Sequence, residues 1–204
     1  MNQLDQLFTC DAVEFSRRYI RYLSSVLSEI DPEAVAIFIS TLLEARSVGA
    51  TIFFIGNGGS AATASHFAND LAIGTNSDEK PFRAVSLTDN NAILTALGND
   101  FGYDSIFVRQ LRILSRPGDV LVGISASGNS PNLLKAFNYA KEIGIKTVAV
   151  TAFDGGKLKQ IADVGIHVPT GPKEYGPAED AHMMLHHLIS AYLIRLVKHE
   201  QPAN

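Results

Sequence analysis

The sequence predicts an α/β domain in which five parallel strands lie between helices. Five short runs rich in β-branched and aromatic residues punctuate the chain, and helical stretches alternate with them. Most of these runs are continuously apolar, which is typical of strands buried on both faces of a parallel sheet. The 16 glycines exceed what a helical bundle needs and favour many tight turns. The predicted strands are Thr51–Ile55, Arg83–Leu87, Val120–Ile124, Thr147–Thr151 and Val164–Val168.

Helices are predicted between the strands and at both ends of the sheet. Apolar residues recur at helical spacing from Phe15 to Ile30 and again from Pro32 onward, so two helices precede the first strand. A final helix is predicted from about Pro177 to His199. The remaining predicted helices are Ser60–Ile73, Tyr103–Leu114, Pro131–Glu142 and Gly156–Ile161.

The chain of 204 residues suits a single domain, because it contains no repeat, low-complexity segment or long linker. We expect one doubly wound domain over 1–204, with extra N-terminal helices in 1–49, the α/β core in 50–170 and the C-terminal helix in 177–199.

Composition excludes several classes of protein. The net charge of −4 argues against binding to nucleic acid or to an anionic membrane, because a phosphate surface requires a basic face. No apolar run approaches the roughly 20 residues of a membrane helix. The N-terminus has acidic residues and no long apolar core, so it does not resemble a signal peptide. With Cys10 as the single cysteine, a cytoplasmic protein is expected.

A glycine-rich loop follows the first predicted strand and precedes a helix. In Gly56-Asn57-Gly58-Gly59-Ser60, glycines would let backbone N–H groups approach an anion or a sugar oxygen at the helix N-terminus. A simple tight turn is the plainer interpretation. The loop also fits a loose dinucleotide fingerprint, with Asp89 as the ribose acid. However, Asp89 lies 33 residues after Gly56, whereas about 20 are expected.

A second loop, Ser125-Ala126-Ser127-Gly128-Asn129-Ser130, follows the third strand and is followed by Pro131. Proline suits the first helical turn, and Ser130 suits the N-cap. Three hydroxyl groups at a helix N-terminus, with no nearby lysine, suit a monophosphate held by hydrogen bonds and the helix dipole. An ordinary serine-rich cap is the alternative.

Acidic residues and histidines occur together at two places. His66 and Asp70 are four residues apart on a predicted helix and share a face, which suits a metal or proton transfer, although a solvent-exposed polar pair has the same pattern. The last helix opens with Glu179, followed by His182, His186 and His187. Helical spacing groups Glu179, His182 and His186, and puts His187 about 80° from Glu179, so spacing does not select the functional histidine.

Four segments resemble the SIS (sugar isomerase) domain family, within it the bacterial sedoheptulose 7-phosphate isomerases. They are GISASGNSPNLLKAF, GNGGSAATASHFANDL, LGNDFGYDSIF and AFDGGKL. The resemblance covers most of the chain and implies a flavodoxin-like fold. It also implies aldose–ketose isomerisation, for which we expect sedoheptulose 7-phosphate to give a heptose 7-phosphate. A homotetramer with active sites at subunit boundaries is expected as well.

The resemblance also assigns roles to residues. The family's catalytic glutamate falls on Asp70 and its glutamine ligand on Glu179, so either acid is a candidate base, with Asp70 the first choice. His187 matches the catalytic histidine, and zinc is expected on His66, Asp70, Glu179 and His187, leaving His182 and His186 in supporting positions. Sugar oxygens are assigned to Asn57, Gly58, Gly59, Ser60, Asn99 and Asp100, and the phosphate to Ser125, Ala126, Ser127 and Ser130.

Other functions remain open at this point. The chain would also suit a non-catalytic SIS module that binds a phosphosugar or a protein, or an isomerase of another phosphosugar. A sugar-sensing transcription regulator would need an added DNA-binding domain. The combination of His66, an acid at position 70 and His187 favours an enzyme.

Overall fold

The computed structural model describes residues 2–200 and contains the predicted five-stranded parallel sheet. The strands are β1 (Thr51–Gly56), β2 (Arg83–Ser86), β3 (Val120–Ser125), β4 (Lys146–Thr151) and β5 (Val164–His167). Their order in the sheet is β2-β1-β3-β4-β5, and every neighbouring pair is parallel. The carboxyl ends of β1 and β3, where the two predicted loops begin, are therefore adjacent. The doubly wound α/β prediction is confirmed.

Nine α-helices surround the sheet in the described part of the chain. A π-helical turn, Asp70–Gly74, continues the fourth helix, and a 3₁₀ turn, Tyr103–Ser105, precedes the sixth. The helices are α1 (Gln3–Leu7), α2 (Ala12–Ser28), α3 (Pro32–Val48), α4 (Gly59–Asn69), α5 (Asn91–Phe101), α6 (Ile106–Leu114), α7 (Pro131–Glu142), α8 (Gly156–Ile161) and α9 (Tyr175–Glu200).

Capping residues explain several helix boundaries. The side chain of Asp11 accepts hydrogen bonds from the second and third backbone N–H groups of α2, and that of Asp31 accepts from the N–H group of the second residue of α3. Gly49 then ends α3 with φ 69°, a left-handed conformation that suits glycine. The last helix begins at Tyr175 rather than at Pro177, because proline is tolerated in a first helical turn.

The three central strands, β1, β3 and β4, are buried on both faces, as their apolar sequences predict, whereas the edge strand β2 has no buried residue. Phe54 of β1 packs with Phe38 of α3, Phe67 of α4 and the buried face of α9. On the opposite face, Phe53 packs with apolar side chains of α6 and α7. Adjacent residues of β1 thus enter different cores, and each fully buried aromatic side chain contributes about 1.5–3 kcal/mol of hydrophobic stabilisation.

The N-terminal helices are joined to the start of α9 by polar contacts. Glu174 is fully buried, and its carboxylate accepts hydrogen bonds from the backbone N–H groups of Gln3 at 2.5 Å and Gly171 at 2.9 Å, as well as from the Tyr22 hydroxyl. Burial and this carboxylate raise the pKa of Tyr22 above its usual value. The Tyr19 hydroxyl donates to Asp180 at 2.6 Å. These bonds fix the orientation from which α9 enters the site.

None of the helices in residues 2–200 combines the length and apolar character needed to cross a membrane.

Candidate active site

Glycines allow α4 to begin immediately after β1. A Cβ atom on Gly56 would lie 2.5 Å from the backbone oxygen of Ser60, so a side chain there would displace the first turn of α4. Gly58 occupies the N-cap with φ 55°, a conformation that costs glycine little. Ser60, the second residue of this helix, is buried. We refer to Gly56–Ser60 as the glycine loop.

Asn57 joins the glycine loop to the helix that follows β3. Its side-chain amide exchanges two hydrogen bonds with the amide of Asn132, at 3.0 and 2.9 Å. The Tyr103 hydroxyl also donates to Asn57 Oδ1 at 2.9 Å. Because Asn132 is almost fully buried in α7, this amide pair fixes the glycine loop relative to the N-terminus of α7.

The second loop, Ser125–Ser130, is called the serine loop. Ser125 Oγ accepts from the backbone N–H of Gly128 at 3.1 Å, and Ser127 Oγ accepts from that of Asn129 at 3.4 Å. Ser130 is the N-cap of α7, as predicted, but its side chain makes no capping hydrogen bond. Pro131 has no N–H, and the Leu133 N–H already donates to Asn132 Oδ1 at 3.0 Å. The Ser130 hydroxyl and the Asn132 N–H are therefore the groups that the start of α7 offers to an anion.

The loop after β4 packs against the serine loop. A Cβ atom on Gly128, which has φ 61°, would lie 1.9 Å from the backbone oxygen of Gly155. The carbonyl of Gly128 accepts from the N–H of Leu158 at 2.9 Å, and that of Ala126 accepts from Ala152 at 3.0 Å. The AFDGGKL segment therefore fixes the conformation of the serine loop without contributing a charged group to these contacts.

Three imidazoles and one carboxylate lie together between α4 and α9. One potential ligand atom from each of His66, Asp70, His186 and His187 lies within 4.8 Å of the others. Asp70 Oδ2 is 2.9 Å from His186 Nε2, and Asp70 Oδ1 is 3.6 Å from His66 Nε2. We call these four residues the histidine–aspartate cluster. It contains three of the four residues for which a metal was predicted, and His186 in addition.

His186 is the buried member of the cluster. It is 1% exposed, its ring packs against Phe67 at 4.9 Å between centroids, and its Nδ1 lies 3.4 Å from Met183 Sδ. Burial lowers the pKa of His186 to about 4, although the hydrogen bond with Asp70 opposes this shift. The imidazole is therefore neutral near pH 7, which is the form that binds a metal.

Glu179 lies at the glycine loop and is not a member of the cluster. A Cβ atom on Gly59 would lie 2.2 Å from Glu179 Oε2, so the absence of a side chain at Gly59 makes room for this carboxylate. The carboxylate thus sits at the first helical residue of α4, where the helix dipole favours negative charge. Asn99 and Asp100 are exposed on α5, and Asn99 Nδ2 donates to Asp100 Oδ1 at 2.8 Å.

The donor set of the cluster suits a divalent cation. Imidazole nitrogens with one carboxylate oxygen are ligands that zinc accepts, and the neutral form of His186 keeps a lone pair on one ring nitrogen. The buried aromatic wall formed by Phe67 limits water on one side of the cluster. The described residues therefore fit a metal, although they differ from the set that the resemblance implied.

Comparison with known proteins identifies the class. The family model described as SIS domain matches residues 15–152, and the chain belongs to this family. The phosphoheptose isomerase of Geotalea daltonii is 37% identical over 169 residues, covering 83% of this chain and 86% of that protein. That of Akkermansia muciniphila is 41% identical over 159 residues, covering 78% and 82%. The expectation of a sugar-phosphate isomerase is confirmed by these relatives.

Solved structures agree in fold. The phosphoheptose isomerase from Neisseria gonorrhoeae superimposes with a TM-score of 0.77 at 34% identity, covering 89% of this chain and 95% of the other. The phosphoheptose isomerase from Francisella tularensis gives a TM-score of 0.79 at 25% identity, covering 91% and 99%.

Proposed function

We propose that this chain is an aldose–ketose isomerase that converts sedoheptulose 7-phosphate to D-glycero-D-manno-heptose 7-phosphate. The observation that carries the proposal is the placement of two chemically different features on neighbouring strands. The serine loop follows β3. The helix α4 begins at the glycine loop after β1, carries His66 and is followed directly by Asp70. A phosphosugar whose phosphate is bound at the serine loop would extend its carbonyl end toward His66 and Asp70.

The serine loop would bind the phosphate. The uncommitted Ser130 hydroxyl and the N-terminus of α7 offer donors, and Ser125 and Ser127 add hydroxyl groups beside them. The backbone N–H groups of the glycine loop and the side chain of Asn57 would hold sugar oxygens. The Asn57–Asn132 pair would keep the two loops at a fixed separation during turnover.

Isomerisation requires a proton to move between adjacent carbons. A carboxylate removes the proton from the carbon next to the carbonyl, which gives a cis-enediol, and returns it to the former carbonyl carbon. We assign this role first to Asp70, whose orientation is fixed by His186, and second to Glu179 at the glycine loop. His187 is exposed beside the cluster and would transfer the proton between the hydroxyl and carbonyl oxygens.

A zinc ion would be held by the histidine–aspartate cluster, and Glu179 is the further ligand that the family resemblance implies. When bound, the metal would polarise the sugar oxygens and stabilise negative charge on the enediolate. Because a metal-bound carboxylate is a weaker base, Asp70 and Glu179 would divide these two roles. Glu179 lies against Gly59 at the start of α4, and Asp70 lies at the end of the same helix.

We further propose a cytoplasmic homotetramer with sites at subunit boundaries. Large apolar side chains remain exposed on α2 and α9, including Ile20 at 63%, Leu188 at 44% and Tyr192 at 51%. Leu188 follows the exposed catalytic candidate His187 directly. A second copy packed on this face would therefore cover apolar surface and close the site at the same time.

Deuterium exchange tests the activity directly. The protein is incubated with a panel of ketose phosphates of five to seven carbons in deuterated water, and substrate protons are followed by NMR. We expect exchange at the carbon next to the carbonyl, fastest with sedoheptulose 7-phosphate. Tight binding of a phosphosugar without exchange would instead identify a non-catalytic module.

A further inference from the structure

A cavity lies on the outer surface between α6 and α7, away from the candidate active site. Its volume is about 300 Å³, at the lower end of the roughly 300–1,000 Å³ typical of small-molecule sites. None of its lining residues belongs to the glycine loop, the serine loop or the histidine–aspartate cluster. The lining residues are Ser105, Val108, Arg109, Arg112, Lys135, Asn138, Tyr139 and Glu142.

The cavity carries positive charge although the whole chain has a net charge of −4. Arg109, Arg112 and Lys135 contribute cations, and Glu142 is the acid that lines it. Lys135 pairs with Asp104 beside the cavity. Among the described residues, neither arginine forms an ion pair with a carboxylate, so their charge is not neutralised by such a pair.

Aromatic rings position both arginines. The guanidinium carbon of Arg109 lies 3.3 Å from the ring centroid of Phe101, and that of Arg112 lies 5.5 Å from the ring centroid of Tyr139. Arg109 and Arg112 are three residues apart on α6 and share a face. Stacking reduces the number of guanidinium conformations while leaving the N–H groups at the edges free for hydrogen bonds.

We propose that this cavity binds a small phosphate ester at a site separate from the serine loop. Two guanidinium groups can bind phosphate oxygens in a bidentate manner, and neither is neutralised by an ion pair among the described residues. Ser105, Asn138 and Tyr139 offer hydroxyl and amide groups that suit the alcohols of an attached sugar. A phosphosugar and a nucleotide share this chemistry.

Calorimetric titration of the full chain tests the proposal. The parent for the test is the Ser127→Ala/Ser130→Ala variant, in which the serine loop is weakened, and the probes are inorganic phosphate, glucose 6-phosphate and ADP. We expect at least one phosphate ester to bind this parent, and added Arg112→Gln or Arg109→Gln to weaken binding at least tenfold. Preference for glucose 6-phosphate or for ADP identifies the source of the phosphate group.

Matched controls separate binding from folding. Arg116→Gln removes a positive charge just beyond α6, outside the cavity lining, and should leave affinity unchanged. Arg112→Lys keeps the charge but loses the bidentate geometry, so it should bind more weakly than the parent while its circular dichroism remains the same. The proposal is overturned if no probe binds the parent, if the arginine variants bind as the parent does, or if they change the subunit number instead of ligand affinity.

Discussion

Asp70 Oδ2 lies 2.9 Å from His186 Nε2, which joins the end of α4 to the middle of α9 across 116 residues of sequence. His186 is 1% exposed, whereas the side chain of Asp70 is 23% exposed. A rigid, buried imidazole thus holds a carboxylate that still reaches solvent. This contact fixes the position of the Asp70 carboxylate.

Replacing the proposed base should stop chemistry and preserve binding. Asp70→Asn keeps the size of the side chain but removes its basicity, so turnover should fall by at least about a hundredfold. Substrate affinity from calorimetry and the circular dichroism spectrum should change little. The check is the rate of deuterium incorporation into the substrate, and wild-type exchange in this variant would exclude Asp70 as the base.

Glu179→Gln distinguishes the two candidate bases. If Asp70 is the base, this variant should keep substantial exchange activity, since glutamine still provides a polar group at Gly59. If Glu179 is the base, the variant should be nearly inactive and Asp70→Asn should survive. Exchange at the wild-type rate in both variants would show that neither Asp70 nor Glu179 is the base.

His186 should contribute to metal affinity although the sequence indicated only a supporting position for it. We expect about one divalent ion per subunit by elemental analysis, and His186→Gln should weaken zinc binding by more than about 100-fold, because the loss of a residue that only supports a metal site costs about 10–100-fold. The measurement is competition with a chromophoric chelator, which does not depend on turnover. His199→Gln, at the exposed end of α9, is the matched control and should bind zinc normally.

The serine loop should contribute to phosphate affinity through individual hydrogen bonds. Ser127→Ala and Ser130→Ala should each weaken substrate binding by about 1–2 kcal/mol, the cost of losing a hydrogen bond to a charged group. Ser16→Ala, on the exposed side of α2, should have no effect. If calorimetry shows unchanged substrate affinity in both variants, the serine loop does not bind the phosphate.

The sequence predicted the helices that have a clear apolar periodicity. It missed α1 and α5, which have no buried face. Pro131 and the apolar periodicity after it gave the bounds of α7 correctly. The helix α5 was not predicted, because none of its residues is buried and its apolar residues therefore mark no core-facing stripe. The short α1 also lacks a buried residue. Prediction from periodicity works where one face of a helix is buried.

Which residues of α9 join the histidine–aspartate cluster depends on their positions along the helix axis. Helical spacing predicts only which residues share a face. Glu179 and His186 were grouped because they share a face of α9, but seven residues separate them by about 10 Å along the axis. In the structure Glu179 reaches Gly59 at the start of α4, and His186 reaches Asp70 at its end. The three histidines in the first half of this helix, His182, His186 and His187, were a visible signal. Only the packing of α9 against α4 selects among them.

Acid should destabilise the fold through a histidine outside the cluster. His182 is 2% exposed, and burial lowers its pKa from the ordinary 6.5 to about 4. Above pH 6.5 neither the folded nor the unfolded state is protonated there, so His182 gives stability no pH dependence. As the pH falls from 6.5 to 4, the unfolded chain binds a proton that the folded chain does not, and stability decreases.

Removing this imidazole should therefore flatten the acid side of the stability profile. Complete titration of His182 corresponds to a loss of at most about 3 kcal/mol. His182→Leu should lower this pH dependence between pH 6.5 and 4, whatever its effect on stability at pH 7. Urea unfolding at several pH values, in chelator so that metal binding does not contribute, measures the slope. His199→Gln should retain the wild-type slope because position 199 is exposed, and an unchanged slope in His182→Leu would show that His182 does not titrate differently in the two states.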